Sequence, residues 1–361
     1  MADALIIGGG LAGGAAACAL AMQGRRVLLL ERETGAHHKL CGEFLSAEGA
    51  AALRHLGLPP EALGAQPIRR LRLAAGATVA EAALPFTAWG LSRRRLDAAL
   101  LARAAALGAE VRQGATVRAL DADGSAHLAD GARIAAKATL LATGKHELRG
   151  WKRPAGAPMV GFKWHLRLDP AQAARLAGHV ELHLLKGGYA GLQMVEDQTA
   201  NLCVVLRHAP PDRPRGIAPA GSLLEARLEG AVFLWDRPLA IAHVPYGHVH
   251  RAAAGEAVWR LGDQAAVTPS FTGDGMAIAL HSGLLAARML EQGQSAEAFH
   301  TALARDAKPQ IGRARLLLAL LGLGRPAVAL ARRFPGLLGA GARHTRLPAD
   351  CARVFKPLRM G

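Results

Sequence analysis

At 361 residues, 51 % hydrophobic and 20 % charged, the chain is long enough for one large domain or two ordinary ones and has the balance of a folded protein, not a disordered one. Its net charge of +16 is concentrated late: from Ile311 onward ten arginines or lysines face a single acid, Asp350. Four cysteines (Cys18, Cys41, Cys203, Cys351) lie far apart with no Cys-x-x-Cys pair, which argues against a disulfide framework or a zinc knuckle and fits a reducing compartment.

The N-terminal stretch MADALIIGGG has no basic leader or cleavage pattern, so a signal peptide is not expected. ALIIGGGLAGGAAACALAMQGRRVLLLER predicts a buried strand over 4–7, a tight turn, a helix, and a second strand over 27–30. Gly8, Gly10 and Gly13 make Gly-x-Gly-x-x-Gly. The first permits the turn, the second lets a diphosphate approach the backbone, and the third allows close helix–strand contact. Leu11 and Ala12 open the helix, whose unpaired amides favour negative charge. Glu31 follows Gly13 by 18 residues, where a carboxylate can accept hydrogen bonds from the hydroxyls of an adenosine ribose. Set between two strands with that acid in place, the motif points to a dinucleotide site.

A nicotinamide dehydrogenase would ordinarily continue into a contiguous nucleotide domain. Here a loop follows, then a helix over 46–56, a β-hairpin around Gly76, a helix in SRRRLDAALLARAAALG, strands in AEVRQG and TVRALDADG, and a late apolar strand, ATLLATG, ending at Gly144. The nucleotide fold is interrupted. Strands are then expected at MVGFKWHLRL, GHVELHLL, GGYAGLQMVE, TANLCVVLRH and RPLAIAHVPYG, with Phe162, Trp164, Tyr189, Leu192 and Met194 as candidate walls of a greasy pocket. HVPYGHVH reads as strand plus turn and not as a metal box, and no metal site is expected. No Gly-x-Ser-x-Gly elbow or P-loop occurs, and no acid–base pair stands out among the scattered histidines.

LGDQAAVTPSFTGDGM, residues 261–276, supplies a second anchor. A single βαβ unit holds only the adenosine diphosphate half of FAD. Asp263, at the end of a strand, can accept from a ribityl hydroxyl. Gly273 and Gly275, on either side of Asp274, let a flavin edge lie on bare backbone, and a helix from Met276 aims its amides at the ring side where charge gathers on reduction. The last segments, IGRARLLLALLGLG and RPAVALARRFPGLLGAG, predict arginine-studded helices broken at Pro326 and Pro335, suited to peripheral contact with an anionic membrane. No aromatic–basic interleaving or recognition helix suggests a nucleic-acid partner.

GGGLAGGAAA with LLLER, KLCGEFLS, SRRRLD and GDQAAVTPSFTGDGMAIALHSG together resemble the flavoprotein superfamily of p-hydroxybenzoate hydroxylase-type monooxygenases, geranylgeranyl reductases and flavin-dependent halogenases. The Cys41-Gly42 pair is most similar to the geranylgeranyl reductase branch. The resemblance implies adenosine contacts from Glu31, Arg32 and the Val117 backbone, a diphosphate contact from Arg93, a ribityl contact from Asp263, and Cys41 beside the flavin as the catalytic candidate. Lys39 and Gly144 join the cofactor-binding set. Thr143 stands where the hydroxylases carry an aspartate, in a segment that helps them hold flavin and nicotinamide. The halogenase Trp-x-Trp-x-Ile-Pro motif is missing.

The expected fold class is α/β: an interrupted Rossmann-type FAD-binding domain (1–158 and 256–292, with a small hairpin insertion near 67–92), an antiparallel β-sheet substrate domain (159–255), and a basic helical C-terminal region (293–361). The expected activity is that of an FAD-dependent oxidoreductase, first a monooxygenase hydroxylating a hydrophobic aromatic or lipid-like molecule, alternatively a reductase of C=C bonds in a polyprenyl or polyketide chain. NADH or NADPH is the candidate electron donor. The expected location is the cytoplasm, with membrane association through the C-terminal region.

Overall fold

The computed structural model describes residues 1–154, 159–207 and 214–355. The 155–158 end of the expected first domain segment, and Lys356 and Arg359 of the basic run, lie outside them. In chain order, strand Ala2–Ile7 (β1), helix Leu11–Met22 (α1) and strand Val27–Glu31 (β2) form the opening unit; both strands are apolar and α1 is buried from Leu11 through Ala21. Phe44–Leu45 (β3), Ala47–His55 (α2), Gln66–Ala75 (β4) and Thr78–Gly90 (β5) intervene before Arg93–Ala106 (α3) and Glu110–Gln113 (β6). Val117–Leu120 (β7), Ala126–Leu128 (β8) and Arg133–Ile134 (β9) make a small antiparallel sheet, and Ala136–Leu141 (β10) returns to the core. Then come Val160–Arg167 (β11), Pro170–Leu176 (α4), His179–Leu185 (β12), Gly188–Met194 (β13), Ala200–Leu206 (β14), Leu223–Leu228 (α5), Val232–Phe233 (β15), Leu239–Ala242 (β16) and Val258–Arg260 (β17). Helices Gly275–Glu291 (α6), Ala296–Leu321 (α7), Arg325–Arg333 (α8) and Gly336–His344 (α9) follow.

The nucleotide sheet runs β17-β10-β1-β2-β6, parallel throughout. Its last strand, β17, arrives some 250 residues after β1, so the interrupted Rossmann-type layer is as expected. The second sheet runs β15-β11-β14-β13-β12-β4-β5-β3, with β16 also on β11. It is mixed and not purely antiparallel, because β4 pairs in parallel with β12 from Arg70↔His179 to Ala74↔His183. The β4–β5 hairpin is therefore no local appendage of the nucleotide layer: β4 extends the substrate sheet. Turn chemistry at Gly76 (φ +62°) was readable in the sequence, but the choice of strand partner depends on a segment a hundred residues away.

Phe162, Trp164 and Leu192 face α4 and α5 in a core with Leu176, Leu224 and Leu228, and Met194 packs on its edge. Tyr189 belongs to a separate core with Val328 and Ala331 of α8. The expected greasy wall is thus interior packing, because alternate residues of β11 face opposite ways and its other face carries Lys163 and His165.

Pro326 sits in the first turn of α8 and Pro335 caps α9, where a missing N–H is harmless. α7 instead runs 26 residues through Pro309.

Where α1 crosses α6, a Cβ on Gly283 would lie 2.4 Å from the Ala12 carbonyl oxygen and 2.8 Å from the Ala16 nitrogen. Backbone cannot yield as a side chain does, so Gly283→Ala is expected to cost about 1–3 kcal/mol, read as a lower midpoint in denaturant unfolding with an unchanged slope.

Candidate active site

One cavity of about 520 Å³ runs between the two sheets, within the size range of small-molecule and cofactor clefts. Of the expected site residues, all but Gly13 and Asp274 line it. At one end the chain bends at Gly8 (φ +107°), where a Cβ would sit 2.5 Å from the Ala142 oxygen. Gly13 lies under the turn: its Cβ would fall 1.9 Å from the Gly8 oxygen, which explains its place outside the lining. Glu31 is buried and accepts from the amides of Gly9 at 2.6 Å and Glu33 at 3.1 Å. A carboxylate has about four acceptor sites, so capacity for ribose hydroxyls remains. Arg32 and Val117 line the same end.

Above the bare start of α1 stand two cations. A Cβ on Gly10 would meet Arg93 Nη2 at 3.4 Å and Lys39 Nζ at 3.6 Å. Asp97, one turn along α3, aims both: it pairs with Arg93 through two 2.9 Å contacts and with Lys39 at 2.9 Å. Burial disfavours the Asp97 charge, but Arg93 and then Lys39 outweigh it and hold the carboxyl below its ordinary range. No side chain caps α1, and its first turn holds no acid. The cradle is built for an anion.

At the other end Asp263 follows β17 and lies 3.3 Å from Lys145 Nζ. Gln264 Nε2 donates to the carbonyls of Gly144 (2.8 Å) and His146 (3.0 Å), stitching the loop after β10 to the Asp263 turn. Burial opposes the charge on Lys145, yet Asp263, with Cys41 and Tyr246 behind it, raises the amine above the ordinary lysine value, so it stays cationic. Gly275 and Met276 open α6 onto the cavity, and a Cβ on Gly275 would meet open space. Gly273 (φ +73°) is pressed on Phe44, whose Cδ1 would be 2.2 Å from an added Cβ. Asp274 departs from the expectation: it is fully buried, turned from the cavity, and 2.8 Å from Arg346 Nη1. Burial pushes its carboxyl up to about 7 despite that arginine.

The half-buried Cys41 lies on the cavity wall, with Cys203, Leu239, Ile241 and Val244 from the substrate half. Asn201 of β14 pins its loop by donating to the carbonyls of Cys41 and Gly42. A second, larger brace went unseen in the sequence. Glu43, fully buried at φ +56°, accepts from Lys163 and from the Arg93 amide (2.8 Å), and contacts His165 Nε2 at 2.6 Å. Burial would raise the Glu43 carboxyl, but Lys163 and His165 hold it low. Lys163 also donates to the Lys39 carbonyl at 3.1 Å, so one ion pair positions Lys39, Cys41 and Arg93 together.

Residues 1–147 match the family of the FAD binding domain. The chain is 28 % identical over 354 residues to the menaquinone reductase of Mycobacterium tuberculosis, covering 90 % of this chain and 85 % of that one. Over these residues its likeness is to FAD-dependent oxidoreductases. The chain is also 30 % identical over 280 residues to the FAD-dependent monooxygenase OpS4 of Beauveria bassiana, covering 64 % of this chain and 60 % of that one. Its fold is shared with a geranylgeranyl bacteriochlorophyll reductase-like protein of Thermoplasma acidophilum (TM-score 0.73, 16 % identity, 98 % of this chain and 95 % of that one).

The cavity fits FAD by its own geometry. The Gly10 cradle with Arg93 and Lys39 suits the diphosphate, Glu31 the ribose, and the bare backbone of Gly275 with Asp263 the far half. Replacing Arg93 by Met removes one charge-assisted contact while Lys39 remains. FAD dissociation is expected to rise about 10- to 100-fold, measured by flavin fluorescence quenching; a change under about two-fold would detach Arg93 from the diphosphate.

Proposed function

We propose that the flavoprotein reduces carbon–carbon double bonds in an isoprenoid lipid, a menaquinone-type quinone being the leading substrate class. Bound FAD, reduced by NADH or NADPH, supplies a hydride. Saturating a C=C bond then needs one proton on the adjacent carbon. The observation that carries the reading is Cys41, a thiol on the wall where the Asp263–Gly275 end meets apolar residues of β16. Cys41 gives the proton, and the Lys145 cation beside it stabilises the thiolate left behind. Leu239, Ile241 and Val244 exclude water and accept the hydrocarbon. The relative named menaquinone reductase, matched along nine-tenths of the chain, supports a reduction and a menaquinone-type substrate.

Hydroxylation is the second reading, favoured by the monooxygenase relative. Oxygen separates them: reduction continues anaerobically with NADPH or dithionite as donor, whereas loss of product without oxygen would transfer the assignment to hydroxylation. Cys41→Ser is expected to keep its full flavin content and to lower turnover about 100-fold, the scale of a lost general acid; unchanged turnover would return Cys41 to a packing role.

A lipid substrate agrees with the surface nearby. Leu316, Leu320, Leu323, Leu330, Phe334 and Leu337, on α7–α9 and the turns between them, are each at least half exposed. Exposed arginines, including Arg313, Arg325 and Arg333, stand among them. The inner sides of α7 and α8 pack through Leu318, Leu321 and Val328 on the core that holds Tyr189 and Tyr246, and Tyr246 lines the cavity. Among the described residues no single helix is long and apolar enough to cross a membrane. These helices dock on an anionic leaflet and place the cavity beside it. Co-sedimentation should be stronger with phosphatidylglycerol than with phosphatidylcholine vesicles, and Leu320→Glu with Phe334→Glu should weaken it at least ten-fold.

A further inference from the structure

Beyond the cavity-lining Val244 and Tyr246, the chain folds the end of HVPYGHVH against two residues that its sequence neighbourhood did not suggest. His250 leaves the loop after β16, Glu256 precedes β17, and His300 lies on α7. One ligand atom from each lies within 4.8 Å of the others. We propose that His250, Glu256 and His300 bind a divalent cation of the zinc class, which clips this loop to α7.

The donor set is chemically apt. Two imidazoles and a carboxylate with a fourth position open is a common zinc arrangement. His250 Nε2 is already 3.0 and 3.1 Å from the two Glu256 oxygens, close to the roughly 3.3 Å edge of a tetrahedron with ~2.0–2.1 Å metal bonds. His300 is 2 % exposed, and its Nδ1 has no hydrogen-bond partner. Its Nε2 lies 3.3 Å from both the Val258 carbonyl and the Arg260 amide. A ligating histidine typically donates its other N–H to a carbonyl, and in the tautomer that donates to Val258 the unpartnered Nδ1 is free for the metal. Arg260 Nε, 3.2 Å from Glu256 Oε1, and the Ala253 amide, 3.2 Å from Oε2, orient the carboxylate and leave each oxygen a further lone pair. His248 stands next to the group, 6.4 Å from His250 between ring centroids, and its buried Nε2 is also unpartnered. It or a water completes the coordination. Two other clusters of ligand-type residues among the described residues are less apt. Glu43 in the first has both oxygens engaged, one by Lys163 and the Arg93 amide and the other by His165, and Asp306 in the second faces two arginines, Arg305 and Arg353, where Glu256 faces one.

The site is independent of the reaction proposed above. The test uses the full-length FAD-loaded chain, stripped by a chelator, freed of it, and titrated with Zn²⁺ alone. The wild type is expected to retain one zinc per chain through gel filtration, and X-ray absorption at the zinc edge to show nitrogen and oxygen neighbours without sulfur. His250→Gln and His300→Gln should each weaken binding at least about 100-fold, more than the loss of an outer hydrogen-bond partner brings, with flavin absorbance unchanged. Should either histidine variant lose its flavin through misfolding, Glu256→Gln carries the same comparison. No retained zinc in the wild type overturns the proposal. So does undiminished binding in the variants, or a sulfur neighbour, which would move the ion to the Cys351 cluster.

Discussion

The architecture depends on close backbone approaches around one helix start. The first turn of α1 lies on the turn after β1, that turn lies on the end of β10, and α6 crosses α1 on its other side. Side chains at Gly8, Gly13 or Gly283 would drive carbon into carbonyl oxygens or an amide nitrogen. This closeness leaves the α1 amides uncapped and open to the cavity. It also brings α6, which carries the second anchor at its own N-terminus, alongside the first. The two ends of the cofactor site are registered by one helix–helix contact.

Charge inside the protein is used for placement. Asp97 holds two cations over Gly10, Glu43 ties Lys163 and His165 to the loop bearing Lys39 and Cys41, and Asp263 keeps Lys145 charged. Removing one partner of a buried pair such as Glu43–Lys163 leaves an uncompensated charge, at about 3–5 kcal/mol. The 38–44 loop, with few regular elements of its own, depends on that pair for its shape.

What could be read from the sequence was what is local in the chain. Gly8, Gly10, Gly13 and Glu31 declare themselves within one strand–helix–strand unit, and Asp263 and Gly275 lie at the ends of elements with clear apolar patterns. Glu43 acquires meaning only from Lys163, 120 residues away, and Lys145 only from Asp263. A faint signal existed: Lys163 and His165 alternate with Phe162 and Trp164 in an apolar strand, which marks two unlike faces. Alternation cannot say which face meets the cavity, and it is the aromatic face that packs into the core, with Lys163 and His165 on the other. The parallel seam between β4 and β12 was hidden for the same reason, since strand pairing is decided by edges that lie far apart in the chain.

Arg346, just beyond α9, reaches back to the carbonyl of Thr272 at 2.5 Å and to Asp274 beside the glycine turn. The C-terminal helices are thus moored to the segment that would carry the flavin edge by one arginine facing an acid poised at about neutrality. A force that lifts those helices is transmitted as a pull on the Gly273–Gly275 turn, and the grip of that mooring tightens as the acid sheds its proton.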